Sequence, residues 1–381
     1  MLQVRTLTTV DALEAIEREW LALLGRNETD LPFLRPEWVI SWWEIFRQDR
    51  SFLRDSLQVK EVRAADGALL AVVPLMLTER PAVGPLRVRS LSFVGADHYI
   101  TEQRCPVALP GWGHAAAAAV ASDLLADDSW SWISWEGLQP DGEWARGLGE
   151  VMALQWTDSQ PGNVLDLLPS WDEFRSSLKR NIKESLRHCY NSLRREGLTL
   201  ELAVASAEPE LGPALETFFR LHTARSGQAN GVNHPDRFAD PRARRFLSEV
   251  CRRLAQRDGV RVFTLHLNGR PVASRVGFVL PGCLYLYYSG FDPEWARFSV
   301  ATTLVSEAIR YAIGAGLPRV HLSMGADTSK SRWGPRMPRF HAAVTVRARA
   351  QARAVHGLYS WSRSRADRLR PVGAWIGRRQ G

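Results

Sequence analysis

Cysteine is scarce in this sequence. Its four cysteines, Cys105, Cys189, Cys251 and Cys283, are far apart. No CxxC motif occurs, which argues against a disulfide framework or a zinc site and suits a reducing, cytoplasmic compartment. The histidines are equally scattered and show no metal-ligand spacing. An uncharged apolar N-terminus is also missing. Asp11, Glu14, Glu17 and Glu19 fall where a secretory signal needs an apolar run, so no leader is expected. No apolar stretch reaches the roughly 18 residues of a membrane-spanning helix, so a soluble or peripheral protein is expected.

At 381 residues, 45% of them hydrophobic, the chain suits two globular domains of roughly 150 residues each. Its net charge is +8, from 49 basic and 41 acidic side chains. From residue 342 to the end, nine Arg face a single acidic residue, Asp367, a surplus of eight. The first 341 residues are therefore formally neutral, and the basic character belongs to a tail. That tail also holds Tyr359, Trp361, Trp375 and Ile376. Arginine mixed with tryptophan favours an anionic membrane surface or nucleic acid, against the plainer reading of a solvated end.

Leu13, Ile16, Trp20 and Leu24 recur at helical spacing and predict a helix over 9–24. A second helix opens at Pro36, with Val39, Trp42, Trp43 and Phe46 on one side. Residues 57–63 and 68–77 read as strands joined by Asp66-Gly67, a strong hairpin signal. The same unit recurs downstream: 260–267, Asn268-Gly269, 272–280, Pro281-Gly282 and 283–289. Between the two lie a Trp-rich strand (Trp130, Trp132, Trp135) and a Pro161-Gly162 break that suits a domain boundary.

Beyond the break, Ser170 and Glu173 make a capping box. Phe174, Leu178, Ile182, Leu186, Cys189 and Leu193 form the apolar stripe of the helix that follows. Arg175, Lys179, Lys183 and Arg187 fall at four-residue spacing and predict a basic ridge, either a solvated face or a track for substrate phosphates. Leu304 to Ile313 mark another amphipathic helix, followed by short strands at 319–323 and 340–348.

These segments carry a family resemblance. PFLRPEWVISWWEIF (32–46) with DGALLAVVPLML (66–77), SLKRNIKESLRHCYNSLRREG (177–197), and NGRPVASRVGFV through GADTSKSRW (268–333) resemble the GNAT-type acyltransferases of polysaccharide and cell-envelope synthesis, the CelD-like group, related to Fem-type peptidyltransferases. The resemblance implies an α+β fold of two tandem GNAT-like domains, each a mixed, mostly antiparallel sheet flanked by helices. The expected division is 1–165, 166–345 and a basic tail at 346–381. The active cleft is expected between the halves, with an acyl-CoA donor, acetyl-CoA first, held by the second.

The family's donor loop carries glycines that let backbone N–H groups approach pyrophosphate at a helix N-terminus. Here the run is Arg297, Phe298, Ser299, Val300, Ala301, Thr302, with Val300 where glycine is expected. The second family signature, Gly then Lys and an aromatic, matches Gly325, Lys330 and Trp333. Lys330 is the expected oxyanion partner, and His321 or Ser323 the expected base. Asp97 and Tyr99 match the family's acceptor-facing segment. His222 and Arg225 are further cleft candidates, and Arg175, Lys179 and Lys183 join Trp333 as expected substrate contacts. The run Gly111-Trp112-Gly113-His114-Ala115-Ala116 imitates a dinucleotide fingerprint but lacks the βαβ context.

Three functions stay open at this point. The first is acyl transfer from acyl-CoA to an amine or hydroxyl of a cell-envelope saccharide or lipid-linked precursor, with the tail touching the inner membrane face. The second keeps the fold but takes aminoacyl-tRNA as donor. The third is a non-catalytic partner of a polysaccharide synthesis complex. No metal is expected.

Overall fold

A computed structural model describes residues 2–27, 31–81, 87–96, 99–226 and 234–361. Asp97 and the tail beyond residue 361, with Trp375 and Ile376, lie outside the described residues. Among the described residues no helix is long and apolar enough to cross a membrane.

The described residues form three sheets. The first hairpin is split between two of them. Val59–Arg63 and Leu69–Val73 pair around Asp66-Gly67, with Gly67 at φ +87°, in a four-stranded sheet with Gln3–Leu7 and Val107–Ala108. Past Gln58 and Pro74 the same two strands continue as Leu53–Leu57 and Leu75–Pro81 in a seven-stranded sheet. Proline has no N–H to give to a ladder, so Pro74 suits a point where a strand leaves one sheet for another.

The second half is a six-stranded sheet, in order 164–166, 319–321, 283–291, 270–280, 260–267 and 200–205. Its middle is the predicted meander, and Asn268 and Gly269 both take positive φ as a two-residue hairpin requires. One core joins the halves. Phe33, Trp38 and Phe46 from the first half meet Phe246, Phe278, Tyr285 and Tyr287 from the second, with Trp38 and Phe246 edge-on at 5.0 Å.

The structure differs from the expected cut at 165 and 345. Arg339–Val346 returns to the seven-stranded sheet, between Gln155–Pro161 and Trp132–Leu138. Val164–Asp166, in contrast, pairs with Arg319–His321 of the six-stranded sheet. The halves are therefore joined by two antiparallel segments running side by side, with Val164 and Arg336 bridging backbone to backbone. A helix over 350–361 then packs on the first half, where Tyr359 lies 5.1 Å from Trp132.

The expected basic ridge is broken. Leu178 adopts ψ 151°, so Trp171–Ser177 and Arg180–Arg195 are separate helices and the four-residue spacing does not run through. The apolar stripe survives the break, because Phe174, Leu178, Ile182, Leu186, Cys189 and Leu193 are all buried. The helix predicted at 9–24 is likewise two pieces, meeting at Ile16.

Candidate active site

A cavity of about 1610 Å³ lies where the two halves meet. Three features of the second half shape it. Strand Cys283–Phe291 pairs in parallel with Arg319–His321 only at Leu284–Val320 and Tyr285–His321, so past residue 285 the two strands part and leave a wedge. On its other side, the register between Arg275–Ser289 and Gly277–Leu286 leaves one extra residue in the 283–291 strand, a bulge at Tyr287 and Tyr288. Finally, helix Val300–Gly314 begins at Ser299, which takes the left-handed conformation (φ 54°, ψ 39°).

Ala301, Thr302 and Val305 of that helix line the cavity. The N–H groups of Val300 and Ala301 are the first of the helix and have no intrahelical acceptor. Val300 itself is turned away, 1% exposed in the core of the second half. Its side chain occupies the sheet side of the helix rather than the cavity, so the missing glycine does not obstruct the approach. Arg297 is exposed outside the cavity lining, stacked on Phe298.

Ser323 lies on the cavity wall just past strand 319–321, at φ +72°, a region that a serine rarely adopts. Its hydroxyl donates to both carboxylate oxygens of Glu102, at 2.7 Å each. The Tyr285 hydroxyl donates to the same carboxylate at 2.5 Å, and the Met324 N–H at 3.3 Å. Burial, then the Glu102 charge, pushes the Tyr285 phenol well above its ordinary value, so it stays protonated. Glu102 comes from the first half, on a segment docked against the bulged strand: the Tyr287 hydroxyl donates to Ile100 O, and that of Tyr288 to Tyr99 O. From below, Asn163 of the crossing ribbon donates to the carbonyls of Ser323 and Gly325, at 3.0 and 2.9 Å.

His321 stands behind this group, outside the cavity lining. Its ring stacks on Tyr285 at 4.5 Å, and Nδ1 accepts the Ser323 N–H at 3.1 Å. Burial, then the charge of Lys330, lowers its pKa from 6.5 to about 3, so the imidazole is neutral. Lys330 lines the cavity, donating to Met324 O and pairing with Asp327 at 3.0 Å. Trp333 and Tyr99 also line it; Trp333 is buried, whereas Tyr99 is exposed with Arg237 over its ring at 5.0 Å.

Arg225 lines the cavity, but His222 does not. His222 is committed on both ring nitrogens: one faces Ser289 O at 2.9 Å and the other accepts the Arg237 N–H at 3.3 Å. Since a carbonyl only accepts, Nδ1 carries the proton, and burial holds the ring neutral. Arg175 and Lys179 are exposed, Lys183 is capped onto Ser176 O, and none of the three lines the cavity. Glu102, Tyr285 and Arg275 were not singled out from sequence. Tyr285 lies inside the stretch 268–333 that carries the family resemblance, whereas Glu102 sits in coil with no periodic pattern to mark it. No group of metal-ligating side chains occurs among the described residues.

Residues 178–333 match the family model described as the acetyltransferase (GNAT) domain. The fold is GNAT-like. The crystal structure of FemX superposes on this GNAT-like chain with a TM-score of 0.56 and 11% identity, covering 89% of this chain and 96% of that one. A conserved protein of unknown function from Bacteroides thetaiotaomicron gives 0.50 and 12%, covering 91% and 100%. The C-terminal domain (DUF2156) of a putative lysylphosphatidylglycerol synthetase from Agrobacterium fabrum gives 0.49 and 11%, covering 90% and 95%. At these identities the likeness of the first two concerns the fold alone. No curated protein sequence matches the chain.

Proposed function

We propose that this protein is an acyltransferase that moves an acyl group, acetyl in the simplest case, from acyl-CoA to an amine or hydroxyl of a cell-envelope saccharide or its lipid-linked precursor, as the CelD-like resemblance implies. The observation that carries the reading is Glu102: a carboxylate delivered by one half to the wedge opened by the other, hydrogen-bonded to Ser323. Acyl transfer needs a group to take the proton of the attacking N–H or O–H, and a carboxylate in hydrogen-bond reach supplies it. The acceptor's lone pair attacks the thioester carbonyl while its proton passes to Glu102, directly or through the Ser323 hydroxyl. The oxyanion that forms then collapses, the C–S bond breaks, and the thiolate leaves. Lys330 lines the same cavity and can stabilise the oxyanion.

For the donor, the helix start at Ser299 offers free N–H groups to a phosphate, and Ala301 leaves room beside them. The cavity exceeds the usual 300–1,000 Å³ of small-molecule pockets, which suits two substrates held together. The Arg/Trp tail would hold the enzyme against an anionic membrane face. A second reading, aminoacyl-tRNA as donor, draws on the exposed Arg187, Arg194 and Arg195, which line a shallow groove on helix 180–195.

Calorimetry of the full chain with acetyl-CoA and longer acyl-CoAs tests the donor. Saturable binding, abolished by Ala301→Asp at the helix start, is expected. No binding to any acyl-CoA would refute this donor, and an acyl-transfer activity destroyed by nuclease would establish the second reading.

A further inference from the structure

Two arginines of the cavity, Arg225 and Arg275, make no direct ion pair among the described residues. Arg275, on strand 270–280, spends its Nε on the Tyr287 carbonyl of the bulge at 3.0 Å. Arg225, at the end of helix Glu208–Ser226, reaches Ser289 Oγ at 3.0 Å and His234 Nε2 at 2.9 Å, and its buried Nε has no partner among the described residues. All of these acceptors are neutral. Burial, then the charge of Arg225, pulls the Arg275 guanidinium down to about 10, and burial also lowers Arg225.

Among the described residues, the carboxylates that act on these arginines, Glu102 and Asp327, have partners of their own. Glu102 takes the Ser323 and Tyr285 hydroxyls, and Asp327 takes Lys330 and the Ser329 hydroxyl. Among the described residues, Arg225, Arg275 and Lys330 face Glu102 and Asp327, one positive charge more than negative. Burying a guanidinium beside a second one is unfavourable unless an anion arrives, and a planar fork suits the two oxygens of a carboxylate or phosphate.

We propose that Arg225 and Arg275 form an anion subsite that holds a carboxylate or phosphate group carried by the acceptor. The acceptor is assigned, rather than the donor, because the helix start at Ser299 already serves donor phosphates. Moreover, Arg275 feels the charge of Glu102, the group that takes the acceptor's proton. The subsite rests on the acyl-transfer reading for its place in the reaction, but its affinity for anions does not.

The test titrates inorganic phosphate and acetate into the full chain at constant ionic strength and follows the melting temperature. At least one anion is expected to bind saturably. Arg275→Gln and Arg225→Gln should weaken it about ten- to a hundredfold, since a charge-assisted contact is lost. Arg275→Lys should retain part of the affinity, and Arg180→Gln on a distant exposed helix should match the unsubstituted protein. Absence of saturable binding, or unchanged affinity in Arg275→Gln, would overturn the subsite. Acyl-CoA affinity is expected to be unchanged in Arg275→Gln; a loss as large as that for the small anion would overturn the acceptor assignment. Failure of the unsubstituted protein to bind any acyl-CoA, with the anion titration intact, would instead sink only the acyl-CoA donor of the proposed function.

Discussion

Acidification should destabilise this protein through His321, and the size of the effect follows from its surroundings. The ring is stacked on Tyr285, its Nδ1 accepts the Ser323 N–H, and a Cβ at Gly162 would lie 3.1 Å from its Nε2. Its folded pKa is near 3 against 6.5 for an unhindered imidazole. Between those values the unfolded chain binds a proton that the folded chain refuses, so stability falls as pH falls. At pH 5 the unfolded imidazole favours its protonated form by about thirtyfold, which makes the loss relative to pH 7 about 2 kcal/mol, rising to about 3 kcal/mol at pH 4. His321→Asn keeps an oxygen where Nδ1 accepts but cannot titrate. Guanidinium denaturation of both proteins between pH 7 and pH 4 should therefore show curves that converge as pH falls. His222 also has a lowered pKa, but it contributes equally to both and cancels. Parallel curves would refute the argument.

Two further outcomes follow from the site. Glu102→Gln should lower kcat/KM for acyl transfer about 10²- to 10⁴-fold while leaving calorimetric acyl-CoA affinity unchanged, and an unaltered rate would remove Glu102 from the chemistry. Replacing the arginines of 363–379 with glutamine should move the protein from membrane to soluble fractions of lysed cells; unchanged fractionation would dispose of the anchoring role.

Local chemistry was legible in the sequence where a few neighbouring residues decide the outcome. Ser170 does accept the Glu173 N–H, Asn268-Gly269 does turn with positive φ, and Pro36 does open its helix. Burial stripes were legible too, even across the break at Leu178, because apolar spacing reports the packed face and not the continuity of the hydrogen bonds. The break itself was hidden, since Lys179 and Leu178 are ordinary helix formers and tertiary packing overrides their preference. The site was half legible. Ser323, Lys330 and Trp333 lie in a stretch that resembles a known family, and the structure places all three on the cavity wall. Glu102 could not be read, because its meaning comes from Ser323 and Tyr285, 221 and 183 residues away.

The double crossing between the halves sets an order for assembly. Residues 155–161 reach their sheet partner on one flank only when 339–346 arrives, and that same late strand completes the neighbourhood of 132–138. The seven-stranded sheet thus keeps a gap between 155–161 and 132–138 until residues 339–346 have been made. Asn163, which steadies the Ser323 turn, belongs to the early-made side of this ribbon, and Arg336 and Pro338, which pair with its neighbours, belong to the late side. Strand 339–346 and the Val164–Arg336 bridge thus tie the two halves together beside the candidate site.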